Sequence, residues 1–248
     1  MTEIFYEEFD SDKSIVHFVK RFWKLSNPTA DTQYYTILPD GYFDLIVTIL
    51  NNKLNNITLY GIWTKQFEVT IPANTIVLGI TFNPIATECI LKQSVADILN
   101  MSKILETTFW NIDKLPFNDF TNFVIQLSNK LSITNKIENR KVQTFNLLFN
   151  SFGSITVEEL SSKVSWSSRQ INRYFKEWFG LSLKTYANIL RCSASYTSIR
   201  EGEISPSLNY YDQSHFIKEI KKYTGFNPKE LHKNKNDRFL QFFTLPKI

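Results

Sequence analysis

The chain has 248 residues, 43% hydrophobic and 21% charged, enough apolar material for packed cores in two domains and too much for wholesale disorder. Its net charge of +4 is unevenly spread: residues 151–248 carry 15 Lys/Arg against 9 Asp/Glu, while residues 1–150 carry 13 against 15, so the basic excess sits where a nucleic-acid footprint would put it. Cys89 and Cys192 lie far apart, MTEIFYEEFD lacks an apolar signal core, and no stretch nears the ~20 apolar residues of a membrane span; a disulfide framework, a Cys-based zinc site and export are disfavoured, and a cytoplasmic location is expected.

Up to Phe82 the chain reads as strands, from β-branched and aromatic enrichment between turn signals. The expected strands are Tyr34–Leu38, Leu45–Leu50, Ile57–Ile62, Phe67–Ile71 and Ile76–Phe82, punctuated by Pro39-Asp40-Gly41 and Asn51-Asn52. After Pro84 the pattern turns helical. Phe120, Phe123, Val124, Leu127 and Leu131 form one amphipathic stripe, which serves either as intradomain core or as a dimer seam. Val142, Phe145, Leu148 and Phe149 form another, stopped by Ser151-Phe152-Gly153. The polar run from Ser132 to Lys136 marks a boundary between an N-terminal domain, 1–134, and a C-terminal domain, 135–248.

Local signals are densest from Ile155 to Arg191. Thr156 and Glu159 have capping-box spacing, and so do Ser167 and Gln170, which predicts two short helices on either side of a break at Ser165-Trp166. Helices so joined make a helix-turn-helix. In the second helix Ile171, Phe175 and Trp178 are expected to face inward, while Arg169, Asn172, Arg173 and Lys176 share the outer face at i, i+3, i+4 and i+7. Arg suits guanine edges, Asn suits adenine edges and Lys suits phosphates. A merely solvated polar face would show the same charges, but not two capping boxes and a short turn together with a base-reading set. Farther on, Asp212 is placed to cap a helix whose inner stripe is Phe216, Ile220 and Tyr223; Gly225 ends it, and Asn227 and Glu230 flank Pro228 as another capping pair.

The segment SWSSRQINRYFKEWFGLSLKTYANILR resembles the first helix-turn-helix and linker helix of AraC/XylS-type transcriptional regulators, and NYYDQSHFIKEIKKYTGFNPKELHK resembles their second unit. The stretches ILPDGYFDLIV, LYGIWT and GITFNP resemble a poorly characterised β-rich domain that precedes many such modules in bacteria. The resemblance implies an α+β chain: a β-rich, barrel-like N-terminal domain, then an all-α domain with two helix-turn-helix units joined by a linker helix. It implies double-stranded DNA as partner, read in successive major grooves, an N-terminal domain that takes a small-molecule effector or forms a homodimer, and RNA polymerase as a further partner if the protein activates. Carried over residue by residue, Arg169, Asn172 and Arg173 stand at base-contacting positions, Lys176 at a phosphate-contacting one, and Ser168 beside them. In the second unit Gln213, Ser214, His215, Ile217 and Lys218 stand at DNA-facing positions.

Departures from that pattern are Leu183 for a common proline, Asn209 for the turn glycine and Ile220 for a core Phe. From Ser165 to Asn209 the chain is also about five residues, or one and a half helical turns, short of the family spacing. Pro206 lies where a supporting helix is expected, so Glu203–Leu208 should form at most a turn. The alternative reading is therefore a protein-interaction module that keeps the fold and has lost strong DNA binding. An enzyme is not expected: Asp40 and Asp44 read as turn and strand-end residues, and neither cysteine is in an activating setting. No cofactor is expected, and His17, His215 and His232 are too scattered for a metal site.

Overall fold

The computed structural model describes residues 4–11, 15–131, 138–205, 210–233 and 238–244. It divides into two units: residues 1–33, 42–61 and 70–137 in one, and Tyr34–Gly41, Ile62–Val69 and the chain from Glu138 onward in the other.

The first unit is built on a six-stranded antiparallel sheet in the order β1-β2-β7-β4-β5-β8. Its strands are β1 (Phe5–Asp10), β2 (Val19–Asn27), β4 (Phe43–Leu50), β5 (Lys53–Tyr60), β7 (Thr75–Phe82) and β8 (Ser102–Leu105), while β3 (Gln33–Ile37) and β6 (Phe67–Ile71) pair separately. The central register follows from alternation. Phe43, Leu45, Val47 and Ile49 point to one face, and Leu45 and Val47 stand opposite Ile80 and Leu78 on one side and Leu59 and Ile57 on the other, all buried. Asn51 and Asn52, both at positive φ, close the β4–β5 hairpin as a two-residue turn. On the opposite face Gly79 leaves room for the Trp23 indole, since a Cβ there would lie 2.0 Å from Trp23 Cε2. The indole Nε1 then donates to Thr81 Oγ1 at 3.1 Å, and that hydroxyl donates to Asp44 Oδ1 at 2.6 Å. Asp44 is thus held within the sheet.

Strands β1, β2 and β8 were not expected from the sequence. The stretch after Pro84 is helical only in short turns, Thr87–Leu91, Ala96–Ile98 and Phe109–Lys114, with β8 between them. The continuous helix α1 (Phe120–Leu131) follows. All five residues of its stripe are buried within this chain, Phe123 and Leu127 completely, so the stripe is core and not a dimer seam. The boundary run Ser132–Lys136 lies outside the described residues.

In the second unit the helices are α2 (Asn139–Asn150), α3 (Val157–Val164), α4 (Ser168–Phe179), α5 (Leu183–Ala194), α6 (Tyr196–Arg200), α7 (Gln213–Thr224), α8 (Pro228–His232) and α9 (Leu240–Thr244). Phe145 of α2 is the hub of the first half, with its ring 5.7 Å from Phe175, 5.9 Å from Phe179 and 6.2 Å from Tyr186. The second half is centred on Ile189, Cys192, Tyr196, Phe216 and Ile220, to which Leu38 and the later residues Phe239 and Phe242 add their side chains. Leu38 lies in the segment Tyr34–Gly41, and strand-like contacts tie that segment to the tail. Thr36 N–H donates to Arg238 O at 2.8 Å, and the Gln241 amide accepts from Leu38 N–H at 2.8 Å and donates to Leu38 O at 2.7 Å. Arg238 adds a hydrogen bond to Thr36 Oγ1 and an ion pair to Glu68.

Candidate nucleic-acid interface

Two helix-turn-helix units stand on this helical scaffold. In the first, Thr156 Oγ1 accepts the Glu159 N–H and Glu159 Oε2 accepts the Thr156 N–H, so α3 starts with the expected capping box. α3 stops at Ser165, whose φ of 49° lets the chain reverse direction. Trp166 is then buried, its ring 5.1 Å from Tyr174, with the Arg140 guanidinium 4.9 Å from its centre. Ser167 and Gln170 form the next capping box, and α4 begins at once. Gly180, at φ 74°, ends it.

α4 buries Ile171, Tyr174, Phe175 and Phe179, whereas Trp178, expected inside, is only half-buried. Its other face presents Arg169, Arg173 and Lys176, all exposed, over about 10 Å of helix, a length that fits a major groove about 12 Å wide. Arg169 and Lys176 form no ion pair among the described residues. Arg173 Nε lies 3.7 Å from Glu177 Oε1, a solvent-exposed pair too weak to hold the guanidinium back from a stronger partner. Ser168 and Asn172 are half-buried. The Asn172 amide is turned inward, donating to Ser168 O at 3.0 Å and accepting from Leu183 N–H at 3.3 Å.

In the second unit Asp212 Oδ1 accepts the His215 N–H at 2.7 Å and starts α7. Phe216, Ile220 and Tyr223 are buried, and Gly225 at φ 78° ends the helix. Asn227 and Glu230 complete the capping box of α8 around Pro228. Gln213, Ser214, Ile217 and Lys218 are exposed on one side of α7. His215 is half-buried, and its Nδ1 accepts the Tyr211 N–H at 3.3 Å, which in the neutral ring leaves the proton on Nε2. Of the five expected contact residues here only Lys218 is a fixed cation, against three on α4. Tyr211, 93% exposed beside the start of α7, is a surface feature that sequence reasoning missed. Adjacent tyrosines in a turn carry no periodicity to say which faces inward, and here Tyr210 does, its ring 5.0 Å from Phe216. After α6 the described residues Glu201–Ser205 are not helical, so the first part of Glu203–Leu208, where no full supporting helix was expected, is without one; the rest of that stretch, with Asn209, lies outside the described residues.

Cys192 is completely buried, and burial pushes its thiol up to about 12, so it stays protonated and a poor nucleophile. No helix among the described residues is long and apolar enough to cross a membrane.

Residues 7–103 match the model of a domain family of unknown function, DUF6597. No curated protein matches the chain. Among solved structures, an apo point variant of ToxT from Vibrio cholerae is 13% identical, with 91% of this chain and 99% of that one covered at a TM-score of 0.45. ToxT from Vibrio cholerae bound to (E)-4-(8-methylnaphthalen-1-yl)but-3-enoic acid is 14% identical, covering 93% and 98% at 0.43. The same organism's ToxT with an unsaturated fatty acid is 12% identical, covering 92% and 93% at 0.41. Likenesses this distant do not transfer a ligand. The chain's own sheet and helices nevertheless give the α+β composition with two helix-turn-helix units that its resemblance to AraC/XylS-type regulators implied.

Proposed function

We propose that this chain is a sequence-specific DNA-binding transcriptional regulator that docks α4 and α7 in major grooves. The observation that carries the reading is the outer face of α4: three exposed cations at helical spacing on a short helix capped at both ends and packed on an aromatic core. Arg169 and Arg173 are the base readers and Lys176 the phosphate contact, with Ser168 at the helix start. Gln213, Ser214, His215, Ile217 and Lys218 form the second and weaker contact set.

The sheet domain takes a small-molecule effector or mediates self-association, and any dimer would form away from the buried stripe of α1. The functional division falls at 134/135, with Tyr34–Gly41 and Ile62–Val69 contributed by the N-terminal domain to the second unit. The reading is of a binding protein and not an enzyme, consistent with the protonated Cys192 thiol.

The test is a titration of promoter-sized duplex DNA over a range of salt concentrations, with bound sites taken from genomic footprinting. A clearly negative slope of log K on log salt is expected, because each phosphate contact contributes about −0.9. A flat slope with no preferred site would refute the reading and favour a protein-interaction module.

A further inference from the structure

The first turn of α5 has to find partners for backbone N–H groups that no intrahelical carbonyl can reach. Ser182 caps the helix and its Oγ accepts the Thr185 N–H at 3.1 Å. The N–H of Leu183, the first helical residue, is left over, and Leu183 is 1% exposed. Asn172, 11 residues earlier on α4, supplies the acceptor through Oδ1 at 3.3 Å, while its Nδ2 donates to Ser168 O at 3.0 Å. The two partners fix which way the amide faces, since a carbonyl can only accept and an N–H can only donate.

An asparagine that reads adenine must offer a donor and an acceptor together to the base edge. Here both ends of the amide already face the protein, and turning them outward would orphan a buried N–H. Asn172 lies between Arg169 and Arg173 on α4, so a link at this position sets how firmly the helix that carries both guanidinium groups is held as a whole. We infer that Asn172 is a positioning residue, locking the recognition helix α4 to the N-terminus of α5, and that it reads no base itself. The inference rests on the proposed reading of α4 as a recognition helix, but the link between the helices is a property of the free protein.

The experiment has two arms on the full chain. Amide hydrogen exchange without DNA should show the Leu183 N–H exchanging about fivefold faster in Asn172→Ala, the loss of one net hydrogen bond. Asn172→Asp keeps the acceptor and should restore most of the protection. In the second arm, DNA titration over single-base variants of a bound site should show Asn172→Ala weakening all of them by the same factor, whereas Arg173→Ala should change which base is preferred. Unchanged Leu183 exchange in Asn172→Ala would overturn the inference, and so would a loss of discrimination at one base pair in that variant. If the unsubstituted chain bound no DNA, the proposed function would fail, and the exchange arm would still decide whether Asn172 links the helices.

Discussion

Gln241→Ala tests whether the tail is part of the helical unit or only lies on it. The side chain makes a two-point contact with Leu38, accepting its N–H at 2.8 Å and donating to its carbonyl at 2.7 Å, as a neighbouring strand would. Leu38 is 1% exposed, so truncation to alanine leaves two backbone groups in a place water reaches poorly. An orphaned buried group costs roughly 1–3 kcal/mol. Gln241 itself is half-buried, and water entering from its side should recover part of that for one of the two groups. The expected loss is therefore about 2–3 kcal/mol from the helical unit. Urea denaturation followed by far-ultraviolet circular dichroism reads it as a lower midpoint at unchanged slope. Hydrogen exchange at the Leu38 amide locates it. Gln241→Glu keeps an acceptor for Leu38 N–H but sets a carboxylate oxygen against Leu38 O, and should be no better than alanine. A loss below about 0.5 kcal/mol with Leu38 still protected would show that the contact adds nothing beyond what water provides.

Three further outcomes are expected. Arg169→Ala/Arg173→Ala should weaken specific DNA binding by about 2–4 kcal/mol and clearly more than Gln213→Ala/Lys218→Ala in the same titration; equal losses would show that α7 is docked as firmly as α4. Gly153→Ala should destabilise by roughly 3 kcal/mol or more, because φ is +71° and the new Cβ would lie 2.0 Å from Ala187 O; a shift under 1 kcal/mol in urea would mean that the backbone relaxes freely there. A fragment from residue 135 onward should keep its helical circular dichroism but melt well below the helical unit of the whole chain, since it lacks Leu38 and the Thr36 bridge; equal melting temperatures would show that Tyr34–Gly41 is dispensable.

What was legible in the sequence is what is local. Thr156 with Glu159, Ser167 with Gln170 and Asn227 with Glu230 each find their partner three residues away, and all three capping boxes form. Buried strands also showed themselves, because β4 and β7 are apolar on the core face. Strands β1 and β2 stayed hidden behind their charges. Lys24 pairs with Glu7 at 2.7 Å and Arg21 with Glu8 at 3.3 Å, so the cross-strand partners that stabilise these strands are the residues that make them look like loop. Asn172 was legible as an outer-face residue, but its Leu183 partner belongs to the next helix, beyond the reach of helical periodicity. Nothing near Gln241 in the sequence points to Leu38.

The contact between Leu38 and Gln241 spans 203 positions and sets an order of events during synthesis. At roughly 5–20 residues per second, Tyr34–Gly41 leaves the ribosome about 10–40 s before the tail that completes its pairing. β4, β5 and β7 can join into their sheet in that interval, since their partners are close in the chain. Thr36 meanwhile presents an N–H that Arg238 O accepts once the tail arrives, on the edge where it bridges to Phe239. A chain stopped before Arg238 would carry that edge permanently open, with α4 and α7 already made, and unpaired strand edges are where chains add to one another. Such a truncation should therefore appear as aggregation of the nascent product before it appears as a failure to bind DNA.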